Sequence, residues 1–141
     1  MFRRSLLVAV FAASFAATAS AETVKFQTSV TPNAEVPPTT SKGSGEAAAT
    51  LDTTTHQLTY DVTFQGFASP VTAAHFHGPA AAQKNAKVQV PLGNNPKSPL
   101  HGSATLTAAQ QQQLMAGEWY VNVHSVNHPA GAIRGQMIKA Q

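Results

Sequence analysis

Leu58-Thr59-Tyr60-Asp61-Val62-Thr63-Phe64-Gln65 alternates large apolar and polar residues without a break. Successive side chains of a strand point to opposite faces, so a period of two describes a strand with one face on a core and the other in water. A helix would instead space its apolar residues three and four apart. The preceding stretch, Gly45 to Leu51, is built largely of small residues and reaches the strand through Asp52-Thr53-Thr54-Thr55, a run of turn formers. The two stretches read as the arms of a hairpin.

The same grammar extends in both directions. Val24, Phe26 and Val30 alternate before Thr31-Pro32-Asn33, and Val36-Pro37-Pro38 can only be a loop or a strand edge, because proline supplies no ladder donor. Val71 to His77, closed by Gly78-Pro79, is a further strand, as are Lys87 to Leu92 and His101 to Leu106. One helix interrupts them. Thr107 is its N-cap, Gln110 the capping-box partner, Ala108 to Met115 its body and Gly117 its left-handed stop. Trp119 to Val126 and Ala132 to Lys139 form a closing hairpin around Asn127 to Gly131. No internal repeat or linker divides the pattern. It predicts a single all-β domain over residues 22–141, a Greek-key β-sandwich or flattened barrel with one short helix.

Of the 141 residues, 43% are hydrophobic and only 11% are charged, which suits one domain with a core and excludes a charged disordered tail. The chain has no cysteine, so disulfides, zinc fingers, iron–sulfur sites and thiol nucleophiles are excluded. Two of its nine positive charges are Arg3 and Arg4. They precede an apolar run from Leu6 to Ala17 and the small-residue end Ala19-Ser20-Ala21. A basic start, a run too short to span a bilayer and an A-x-A end are the parts of a secretory signal peptide, here residues 1–21. The expected product is an exported protein, periplasmic or secreted, with no membrane span. Without Arg3 and Arg4 the charges nearly balance, and Lys25, Lys42, Lys84, Lys87, Lys97 and Lys139 are scattered. No cluster remains to neutralise phosphates, so no nucleic-acid partner is expected.

The six histidines carry the remaining information, and all follow Ala21. His75 and His77, two apart on one strand, share a face and can close on a single ion. In the last hairpin Trp119, Val121 and Val123 take the apolar face, which turns Tyr120, Asn122 and His124 away from the core. A loop symmetric about Pro129 sets Arg134 opposite His124 and Gln136 opposite Asn122. That register places a cation beside an imidazole on the outer face. A site of histidines without thiolate or carboxylate suits copper or zinc rather than calcium, magnesium or manganese. The plainer alternative is that these imidazoles pack loops. His56 reads as a solvated turn residue, and His101 lies at a strand start.

At these residues the chain resembles the CHRD family, the domain first described in chordin and also found alone in secreted bacterial proteins. The resemblance rests on Ala34-Glu35-Val36-Pro37-Pro38, Ala74-His75-Phe76-His77-Gly78-Pro79-Ala80, Leu106-Thr107, Leu114-Met115-Ala116-Gly117, Trp119 to Ser125, and His128-Pro129-Ala130-Gly131-Ala132-Ile133-Arg134-Gly135-Gln136. It implies growth-factor antagonism in animals and no settled activity in bacteria. A more distant resemblance is to copper/zinc superoxide dismutases. There a His-x-His strand, a late valine-rich strand ending in histidine, and an arginine after an Ala-Gly turn form the copper site. Here His75-Phe76-His77, Tyr120 to His124 and Ala130 to Arg134 are similar to those three elements. The chain departs from that pattern in lacking the disulfide, the zinc-site aspartate and a bridging histidine other than His101. The turn-to-arginine spacing is also one residue longer.

The dismutase resemblance implies copper, with zinc a lesser occupant, held by His75, His77 and His124 with His128 or His101 as a fourth ligand. It further implies Arg134 as the catalytic guide for a small anion such as superoxide. Three functions compete on this footing: a copper-only superoxide dismutase, a copper carrier or buffer without turnover, and an extracellular ligand-binding or interaction module without metal.

Overall fold

The computed structural model describes residues 20–141, so nearly all of the proposed signal peptide lies outside the described residues. The chain forms β1 (Thr23–Val30), a 3-10 turn (Pro32–Ala34), β2 (Ser44–Asp52), β3 (Gln57–Gln65), β4 (Val71–His77) and β5 (Val88–Asn94). These are followed by β6 (Leu100–Thr105), α1 (Ala108–Met115), β7 (Tyr120–Ser125), β8 (His128–Gln136) and β9 (Ile138–Lys139). The strands make two antiparallel sheets, ordered β6-β3-β2-β1-β9 and β5-β4-β7-β8. The result is an all-β sandwich with one short helix. Its chain changes sheet after β3, β5, β6 and β8, and β6 returns to pair with β3 after β4 and β5 have been laid down opposite. A paired hydrogen bond between Thr31 and Arg134 ties the end of β1 to the second sheet, at 2.9 and 3.0 Å.

The hairpin read from Gly45 to Gln65 is β2 and β3, in unbroken register from Ser44↔Gln65 to Asp52↔Gln57. Its alternation is real: Leu58, Tyr60 and Val62 are buried, while Thr59, Asp61 and Thr63 are exposed. Ala47, Ala49 and Leu51 face the same core from β2. Across the sandwich, Phe76 meets Tyr60 edge-on, 5.5 Å between ring centroids, and lies 5.9 Å from the fully buried Trp119. Such aromatic contacts hold the sheets face to face beyond the area they bury. The helix starts as expected. Thr107 accepts from Gln110 N–H, and the Gln110 side chain accepts from Thr107 N–H. Gly117 at φ +75 ends it.

The closing hairpin differs from the expected loop. The chain turns at Val126 and Asn127, so that His128 already pairs with Ser125, and β8 then bulges. Between the Ser125↔His128 and Val123↔Ile133 pairs, Pro129 to Ala132 stand against His124 alone. Gly131, at φ +131, carries the backbone through this bulge.

The β2–β3 turn is held by Asp52, whose Oδ1 accepts from the N–H groups of Thr54 and Thr55, each at 2.9 Å. These bonds hold its pKa below the ordinary value of 3.8. The bonds favour the ionised form, so their stabilisation is complete above the ordinary aspartate range and is lost as pH falls through the lowered value. An Asp52→Ala protein is therefore expected to melt earlier than wild type at pH 7, and the gap should close in strong acid. Melting temperature followed by circular dichroism from pH 7 to pH 2 checks this.

Candidate metal centre

The outer face of the second sheet is set by the pairing of β4 with β7. His75 lies opposite Asn122, His77 opposite Tyr120 and His124 opposite Ala73. Their neighbours Ala74, Phe76, Val121 and Val123 are buried in the core, so the histidines stand on the other side as the alternation requires. His75 and His77 lie edge to face, 5.4 Å between ring centroids, and His75 and His124 likewise at 4.8 Å. One ring nitrogen from each of His75, His77 and His124 falls within 4.8 Å of the others. Among the described residues this is the group of side chains that can hold a metal ion.

Hydrogen bonds decide which nitrogens are free. His77 Nδ1 lies 2.9 Å from the carbonyl of Ala86, and His124 Nδ1 lies 2.9 Å from the carbonyl of Pro129, within the β8 bulge. A carbonyl only accepts, so each Nδ1 carries the proton and each Nε2 keeps a lone pair. His77 Nε2 is buried without any hydrogen-bond partner. His124 Nε2 faces His75 Nδ1 at 3.0 Å and Asn122 Oδ1 at 3.0 Å. Histidines that bind metals commonly donate their second N–H to a carbonyl in this way. Burial lowers the pKa of His75, and His124 and His77 add to it. Burial also lowers that of His77, opposed by the bond to Ala86 and by Asn122 and reinforced by His124 and Arg134. Both are neutral near pH 7, the form that coordinates. The orphaned Nε2 and the two carbonyl-fixed imidazoles fit a metal such as copper or zinc.

Two further expected ligands lie elsewhere. His101 sits on the outer face of the other sheet, paired with Asp61, which is its register partner on β3. The two-residue turn puts His128 at the head of β8, opposite Ser125 and beside the groove formed with Thr40, Ser41 and Phe67. The bulge separates it from the triad.

Arg134 is also displaced from its expected partner. The register is two residues off the symmetric loop, so Arg134 stays on the predicted face but stands opposite Asn122, with Gln136 opposite Tyr120. It is 1% exposed. Its guanidinium carbon lies 3.5 Å from the centre of the Tyr120 ring, and Tyr120 stacks in turn on His77, centroids 4.8 Å apart and planes parallel within 1°. Its nitrogens donate to the carbonyls of Lys84 and Ala81 and to Asn85 Oδ1, at 2.8, 3.4 and 3.2 Å. Arg134 therefore pins the 81–87 loop over Tyr120 and offers no free face to an anion. Sequence reasoning missed Tyr120, Asn122 and the buried Glu35 as parts of this site. The alternation that turned Tyr120 and Asn122 to the outer face was the signal available for those two.

A family model for the CHRD domain matches residues 26–137, nearly the whole described chain. This sandwich with its histidine triad belongs to the CHRD family. No curated protein and no solved structure matches the chain.

The arginine's fork of donors makes a specific prediction. Arg134→Lys keeps the charge but cannot serve three acceptors while lying flat on Tyr120. It is expected to cost about 3 kcal/mol in urea unfolding, with faster proteolysis within residues 81–87.

Proposed function

We propose that this CHRD protein is exported and binds copper at His75, His77 and His124, and that its reaction is the dismutation of superoxide. The observation that carries the reading is the convergence of three imidazoles, two of them oriented by backbone carbonyls, on the half-exposed outer face of a rigid sheet. Export is supported by Arg3, Arg4, the apolar run and Ala19-Ser20-Ala21, and by β1 starting two residues after Ala21. No helix among the described residues is long and apolar enough to cross a membrane.

Copper held there would supply one-electron chemistry, taking an electron from one superoxide, released as dioxygen, and giving it to a second, released with two protons as hydrogen peroxide. The protein's part is to present lone pairs from half-buried imidazoles at the outer face of the sheet. Arg134 contributes its charge from behind, through the Tyr120 ring to His77, instead of meeting the anion. A copper carrier without turnover is the second reading, favoured by the same burial of Arg134.

Purified protein titrated with Cu(II) is expected to bind one ion with a multi-nitrogen hyperfine pattern. His75→Ala, His77→Ala and His124→Ala should each weaken binding by more than ~100-fold. Superoxide consumption above that of the same copper free in solution supports the dismutase. Tight binding with no excess consumption leaves the carrier, and absence of saturable binding removes both.

A further inference from the structure

The triad leaves one polar atom among the imidazoles unexplained. Asn122 is 3% exposed, and its Oδ1 lies 3.0 Å from His124 Nε2. With Nδ1 committed to the Pro129 carbonyl, the metal-binding form of His124 turns the lone pair of Nε2 toward that oxygen, so two lone pairs face each other across the 3.0 Å. An amide turned end for end would put its NH2 there and remove the conflict. Glu35 prevents this turn. Its carboxyl, 6% exposed, lies against the amide of Asn122: burial raises its pKa, and the Arg134 charge and the contact with Asn122 oppose that rise in favour of the ionised form. A Cβ built on Gly131 would stand 2.5 Å from Glu35 Oε1 and 2.8 Å from Asn122 Nδ2, so the two groups share the space that this glycine leaves in the β8 bulge. A carboxylate accepts and does not donate, and so it selects the NH2 end. Glu35 Oε1 is buried in this space without a hydrogen-bond partner.

We infer that Asn122 Oδ1 is the fourth donor of the histidine centre, and that Glu35 is the positioning residue that turns it there. The inference rests on the proposed copper site. A cation between Oδ1 and Nε2 converts the facing lone pairs from a repulsion into two bonds. Their 3.0 Å separation suits neighbouring donors that each sit ~2.0–2.2 Å from one ion. Three imidazole nitrogens and one amide oxygen are also a set that tetragonal Cu(II) accepts. The role expected for His128 or His101 thus passes to a side chain directly opposite His75 on β7.

The test uses wild-type protein with its asparagines labelled with carbon-13 at the side-chain carbonyl and loaded with Cu(II) alone. Electron–nuclear double resonance is expected to show imidazole nitrogens and one strongly coupled carbon. The unlabelled protein should lack the carbon signal. Glu35→Gln, which can face the amide with either end, is expected to weaken Cu(II) binding ~10-fold and alter the carbon coupling while the metal-free melting temperature stays close to wild type. Asn122→Leu should lose the carbon signal and bind at least ~10-fold more weakly. Imidazole coupling without a carbon coupling in the labelled wild type overturns the assignment of Asn122 and leaves the histidine site standing. A Glu35→Gln protein with unchanged affinity and spectrum overturns the role of Glu35. Copper bound without imidazole coupling overturns the site and this inference together. The labelled wild type needs no substitution, so the outcome does not depend on any variant folding.

Discussion

The antiparallel register of β4 on β7 is the constraint on which the rest depends. These are the two central strands of the second sheet, and each contributes alternate residues to opposite faces. Inward go Ala74, Phe76, Val121 and Val123, which close the core against β2 and β3. Outward go His75, His77, Tyr120, Asn122 and His124. A slip of one residue would invert the strand that moved, burying His75 and His77 and exposing Phe76 on β4, or burying Asn122 and His124 and exposing Val121 and Val123 on β7. The energy that fixes the histidine triad is therefore the burial of apolar side chains on the other side of the same strands.

Around that register the backbone supplies orientation. Two segments without regular pairing, the 81–87 loop and the bulge of β8, each supply one carbonyl that accepts from one imidazole N–H. Each carbonyl fixes a tautomer and so aims a lone pair. The loop is in turn held by side chains from the sheet: Arg134 on Lys84, Ala81 and Asn85, and the Tyr120 hydroxyl, which accepts from Ala86 N–H at 3.0 Å. The ring of Tyr120 is thus shared between the arginine above the loop and the imidazole of the triad. Buried polar groups at such density are stable only when nearly all are satisfied. Two that are not, His77 Nε2 and Glu35 Oε1, lie at or beside the proposed site.

Arg134 shows how a residue can be read onto the correct face and still into the wrong role. Its parity along β8 was legible, because a register error of two residues preserves the face. Its partner was not legible, since the bulge takes up Pro129 to Ala132 against a single residue of β7, and a symmetric loop cannot anticipate that. Its burial was legible still less. An arginine on the outer face of a sheet is ordinarily solvated, and only the loop folded over Tyr120 removes it from water.

The sequence by itself determined the local structure. Alternation in Leu58–Gln65 and its counterparts fixed the strands and their faces. Thr107, Gln110 and Gly117 fixed the helix and its ends, and the pairing of His75 with His77 on one face followed from the strand period alone. These are short-range consequences of backbone geometry and side-chain polarity. The tertiary structure decided which strands became neighbours, and so that His124 joins the pair while His101 and His128 do not. It also decided that Asn122 and Glu35 stand behind the triad. The reason is physical: adjacency in a sandwich is set by how two sheets share one core, and a bulge or a covering loop redirects polar side chains by amounts that no periodicity encodes.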